Sequence, residues 1–200
     1  IANQGKVYFG SDDGCFYCLS ADKGVLQWKI KAAPSDRRAI GNERLVSIWP
    51  VRGGAVLVDD TIYFTVGVWP FEGTLLYSVD LKSATGNATP KYTVVPLNDF
   101  APQGHLAASD NKLFIPGGRA NIHCRDLTTG NPVRLSYSSK GKTDHHVIAS
   151  GQWMFHGGTV VDLRTRKMLP FALDRPVISA GQVYFASKGQ AHAYDLENTT

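Results

Sequence analysis

The chain has 200 residues, of which 43% are hydrophobic and 19% charged, and it carries a net charge of +4. That length and balance suit a globular chain with its own core. No run approaches the ~18 apolar residues of a membrane-spanning helix.

Twenty glycines lie scattered among apolar runs. They suit short strands joined by tight turns rather than disorder. A nucleic-acid site would concentrate the positive charge. Only Arg37, Arg38, Arg44 and Arg52 form a dense basic group. A nucleic-acid partner is the weakest reading, and it predicts binding that falls steeply with salt.

The chain opens at Ile1, with neither an initiator Met nor a signal-peptide pattern. We expect processing or truncation upstream. The first repeat unit follows at once. A strand over Lys6–Gly10 leads through Ser11-Asp12-Asp13-Gly14 to a second strand over Cys15–Leu19. Asp-Gly is a favoured hairpin turn, and four residues are too few to ligate calcium. Ala21-Asp22-Lys23-Gly24 then turns into a third strand that ends at Trp28.

Cys15 and Cys18 form a Cys-x-x-Cys element inside a strand, and Cys124 is the third cysteine. Residues three apart on a strand face opposite ways, about 10 Å apart. That exceeds the ~7 Å limit of a disulfide. Packing is the expected role, and no metal is predicted.

The opening strand recurs. Gly5-Lys-Val-Tyr-Phe is echoed by segments that begin at Asp60, Asn111, Gly151 and Gly181. A spacing near about 40 residues, stretched by insertions, is the mark of four-stranded propeller blades. Short apolar strands precede these anchors at 55–58, 106–109, 147–150 and 177–180, with a stub at 1–3. Being small, they suit the crowded axis. Third strands follow at 15–19, 75–80, 122–126, 159–163 and 190–196. Fourth strands follow at 25–30, 91–97, 132–137 and 168–173.

The expected fold is all-β, a β-propeller of four-stranded antiparallel blades with few helices. Residues 1–200 form one propeller fragment with blades at 1–30, 54–97, 105–137, 146–174 and 176–200. The last blade lacks a fourth strand, and the N-terminus starts at the wrong strand to supply it. Open edges are a liability. We therefore expect about four and a half blades of a larger ring, seven- or eight-bladed, whose remaining blades lie elsewhere on the parent chain.

At Leu19-Ser-Ala-Asp-Lys-Gly-Val-Leu-Gln-Trp28 the repeat resembles the tryptophan-docking repeat of the pyrroloquinoline-quinone (PQQ) type propeller family. Val79-Asp80-Leu81 through Gly86 and Asp126-Leu127-Thr128-Thr129-Gly130 keep the turn but lack the Trp. In that family the Trp packs between blades, so the resemblance gives Trp28 and Gly24 structural docking roles. The family includes quinoprotein dehydrogenases, outer-membrane assembly propeller lipoproteins and large extracytoplasmic bacterial proteins. The resemblance alone implies an extracytoplasmic, periplasmic location. A quinoprotein site needs an aromatic platform, arginines for the quinone carboxylates, oxygen ligands for Ca²⁺ and an acidic base. No such set is evident here, and none of the nucleophile or phosphate motifs appears. No catalytic residue and no cofactor is expected. The alternative is a fragment of a PQQ- and calcium-dependent dehydrogenase acting on alcohols or sugars.

Strand direction sorts the loops. The insertions at 31–54, 98–105 and 138–146 join a fourth strand to a first, and those at 66–74 and 117–121 join a second to a third. All five therefore fall at one end of the blades. Elaborated loops on a rigid scaffold carry binding. The candidate face comprises Arg37, Arg38, Arg44, Trp49, Arg52, Trp69, Glu72, His105, Arg119 and His145. Arginine and aromatic residues dominate interface hot spots, although the same aromatics could simply pack the loops down. The expected function is a non-catalytic binding or scaffold module that holds a protein or small molecule on this face.

Overall fold

The computed structural model describes residues 1–41, 43–118, 120–136, 144–173 and 175–195. They fall into two compact units, Ile1–Leu106 and Ala107–Thr200.

The first unit opens with β1 (Ala2–Asn3), β2 (Lys6–Gly10), β3 (Cys15–Ser20) and β4 (Leu26–Lys31), paired in that order in one antiparallel sheet. Side chains alternate across β3, with Phe16 and Cys18 buried while Cys15 and Tyr17 face the other way. The turn at 11–14 forms as expected. Ser11 Oγ accepts from the Asp13 amide, and Asp13 Oδ1 accepts from the Cys15 amide at 2.9 Å. Gly24 takes φ +65° in the turn between β3 and β4, a left-handed conformation that glycine adopts freely.

The 31–54 insertion, read from sequence as a loop, contains a further hairpin. β5 (Arg38–Gly41) pairs with β6 (Arg44–Ser47) in antiparallel register, Ala39 opposite Val46 and Ile40 opposite Leu45. Ala39 and Val46 turn inward, and Arg38, Ile40 and Leu45 turn to solvent. The period of two was present in the sequence, but strands of four residues give a weak signal.

The second sheet comprises β7 (Val56–Val58), β8 (Thr61–Val66), β9 (Leu75–Asp80) and β10 (Tyr92–Pro96). Single 3-10 turns at Pro70–Glu72 and Leu81–Ser83 flank β9. An aromatic ladder ties the two sheets together. Phe16 stacks on Phe64 with ring centroids 4.0 Å apart, and Phe64 stacks on Tyr77 at 5.0 Å. Such pairs add to the area they bury. Trp28 closes the row against Phe16 and Tyr8. The Tyr77 hydroxyl donates to the Ala32 carbonyl at 3.0 Å, which locks β9 to the end of the first sheet.

In the second unit, β11 (Ala107–Ser109), β12 (Lys112–Ile115), β13 (His123–Asp126) and β14 (Pro132–Val133) make one sheet. β14 is shorter than the expected 132–137 strand and pairs only at Cys124 and Arg125. Tyr137, at the end of that range, lies outside the described residues. β15 (Val147–Ser150), β16 (Trp153–His156), β17 (Thr159–Asp162) and β18 (Lys167–Ala172) make the next sheet. β19 (Val177–Ser179), β20 (Gln182–Ser187) and β21 (Gln190–Asp195) form a three-stranded sheet among the described residues. Phe114, Met154 and Val161 centre one core cluster, and Trp153, Phe155 and Val183 centre another. All three cysteines are free thiols, and burial pushes Cys124 up to about 12. No helix among the described residues is long and apolar enough to cross a membrane.

Candidate functional site

Two candidate residues of the first unit, Arg44 and Arg52, meet around the carboxylate of Asp12, in the turn between β2 and β3. Arg52 Nε donates to Asp12 Oδ1 at 2.5 Å, and Arg44 Nη2 donates to Oδ2 at 2.8 Å. The backbone repeats the link, because the Ser47 amide donates to the Asp12 carbonyl and the Val51 amide to the Ser11 carbonyl. One turn thus holds β6 and the chain that follows it. The hydrogen bond from Arg52, then the charges of Arg52 and Arg44, hold the Asp12 carboxyl below its usual range despite partial burial.

A second node lies beside the 3-10 turn at 70–72. Arg37 grips Glu72 with both terminal guanidinium nitrogens, Nη1 and Nη2 donating at 2.9 and 3.1 Å. The same guanidinium sits over the Trp49 ring, 5.7 Å from its centroid. Trp49 is only 7% exposed, and its Nε1–H donates to the Glu72 carbonyl at 2.9 Å. Trp49 is therefore the anchor on which the insertion is packed, not an offered surface.

The face thus divides into fasteners and surface. Arg37, Arg44, Arg52, Trp49 and Glu72 are fasteners, with their charges answered internally. The surface comprises Ile40 at 84% exposed, Phe71 at 82% and Leu45 at 65%, with Trp69 at 36%. Arg38 is exposed on the same side of β5 as Ile40. Ile40 and Leu45 are absent from the residues read off the sequence. Asp12 is missed as well, because Asp-Asp-Gly is fully accounted for as a turn.

His105 does not join these nodes. It pairs with Gly54 in an isolated parallel bridge, and its ring lies so close over Gly54 that a Cβ there would fall 1.8 Å from Nδ1. His145 belongs to the second unit and is exposed. Its neighbour His146 hydrogen-bonds Asp144 at 3.1 Å. Arg119 lies outside the described residues. Among the described residues no group of three His, Cys, Asp or Glu side chains is placed to hold a metal ion.

No family model and no curated protein matches the chain. Solved structures do. The chain is similar to BamB from Moraxella catarrhalis, at 18% identity and a TM-score of 0.56, over 98% of this chain and 60% of that one. It is also similar to the computationally designed protein Ika8, at 11% identity and a TM-score of 0.58, over 98% of this chain and 57% of that one. The chain thus spans less than two thirds of the length of either. At such identities the likeness bears on the fold alone, and with the strand order above it makes the chain an all-β, partial β-propeller.

Proposed function

We propose that the chain is a non-catalytic propeller module that docks a protein partner on the inserted-loop end of its first unit. The observation that carries this reading is the exposed apolar set Ile40, Leu45 and Phe71 on segments clamped by Asp12 and Glu72. Large apolar side chains fully offered to water on a pinned scaffold are characteristic of interaction sites. Clamping also removes the ordering cost that a loose loop would incur on binding. Arg38, which makes no ion pair among the described residues, adds an exposed positive charge beside them, so the partner surface should be apolar with an acidic margin. The extracytoplasmic, periplasmic location and the bacterial origin rest on the likeness of the Trp28 repeat to PQQ-type propellers. The cofactor-free reading rests on the absence of a quinone-binding constellation in the sequence.

Photo-crosslinking residues placed at Ile40 and Phe71, with Asp22 as a control in the turn at the opposite end of the strands, test the docking. We expect one discrete protein adduct from the first two positions and none from Asp22. The purified partner should then bind the Ile40→Asp variant at least about tenfold more weakly, a loss of roughly 1.4 kcal/mol. Equal crosslinking at all three positions, or unchanged affinity in the variant, overturns the reading.

A further inference from the structure

At the other end of the same strands the first unit holds a cleft of about 120 Å³, lined by Gln4, Lys6, Tyr8, Trp28, Asp60 and Lys82, among others. It opens between the turn preceding β2 and the turns that bracket β8 and β9. Trp28 is 3% exposed, yet its indole Nε1–H has no hydrogen-bond acceptor among the described residues. Buried donors are almost always paired, so each exception calls for an explanation.

The charges of the cleft are unevenly answered. Lys82 Nζ pairs with Asp60 at 2.9 Å, so those two cancel. Lys6 is half-buried and makes no ion pair among the described residues. The cleft is therefore lined by Lys6, whose ammonium has no ion pair among the described residues, by Gln4, and by Trp28, whose buried indole N–H has no acceptor among the described residues. A water molecule could accept from the indole, but it would leave the Lys6 charge uncompensated. A carboxylate has two oxygens and a negative charge, and so answers both. The volume admits a group of that size.

We propose that this cleft is a carboxylate-binding site, with the Trp28 Nε1–H and Lys6 as its two principal donors. It lies at the end of the blades away from the inserted loops, and it stands or falls independently of the docking reading. The same donors would meet a free small acid or an acidic side chain on a peptide.

The test follows the four tryptophan indole N–H signals of the intact ¹⁵N-labelled protein during titration with acetate, with chloride as the ionic-strength control. A parallel titration uses N-acetylaspartate amide. The Trp28 signal is identified by its loss in Trp28→Phe, or by through-bond assignment if that variant does not fold. We expect the Trp28 signal alone to move and saturate, and Lys6→Gln to weaken the apparent affinity by roughly tenfold. Saturation by acetate assigns a free small acid. Saturation by the aspartate amide alone assigns a carboxylate carried on a peptide. Movement with neither, movement equal to that in chloride, or affinity unchanged in Lys6→Gln overturns the proposal and leaves a hydrated cleft.

Discussion

Asp12 sits in a hairpin turn, yet it holds arginines 32 and 40 residues further along the chain. Exposed ion pairs contribute little, but one carboxylate shared by two guanidiniums is better placed than most. Asp12→Asn removes the charge and keeps the shape. We expect it to cost about 1 kcal/mol in urea unfolding, discounted for the exposure of both arginines. The larger effect should be local, with faster hydrogen exchange at the β5–β6 amides than in β8. The acid dependence has a definite sign. The folded carboxyl titrates below its unfolded value of about 3.9, so its contribution is intact above that pH and is lost as the pH falls through the folded value. Asp12→Asn should flatten that part of the stability profile. The role could not be read from sequence, because Ser-Asp-Asp-Gly is sufficient as a turn and nothing local marks one aspartate as a long-range partner.

The β5–β6 hairpin is the element that turns a long connection into a surface. Of its inner residues, Ala39 packs against the first core and Val46 opposite it is buried, which leaves Ile40 and Leu45 facing water. The chain that leaves it runs back under β2. There Gly10 is required by close approach, because a Cβ at that position would fall 2.3 Å from the Val51 carbonyl oxygen. We expect Gly10→Ala to cost about 1–3 kcal/mol, as over-packing does, measured by chemical denaturation. The same variant should loosen the hairpin, since the Val51 amide donates to Ser11 beside it. Gly24 makes a useful comparison, because a Cβ there meets nothing and only its left-handed φ resists substitution.

For the whole molecule, the competing account is a quinoprotein fragment. It can be tested without knowing any substrate, by thermal unfolding with and without PQQ plus Ca²⁺. A ligand at about 100 times its dissociation constant would add roughly 2.7 kcal/mol, a shift plainly visible in such a scan. We expect no shift. A clear one would transfer the chain to the dehydrogenase reading. The order of strands, their antiparallel pairing and the turn at 11–14 were legible in the residues alone. Each rests on a pattern a few residues long, namely alternation along a strand and an Asp-Gly turn, repeated at a spacing that marks blades. Within the first unit, the meeting of the 31–54 and 66–74 insertions at one end of the strands followed from strand direction by the same logic. Which residues on that end are fasteners and which are surface did not. Arg37 and Arg38 are adjacent and chemically alike, yet one is folded over Trp49 onto Glu72 and the other points to water. Trp28 was expected to dock between blades; its ring meets Tyr8 and Phe16 of its own sheet, and only packing reveals that its indole N–H has no acceptor among the described residues. Those distinctions depend on partners brought together from distant parts of the chain. Local periodicity records which way a side chain faces, but the contact it finds there is decided by the tertiary fold.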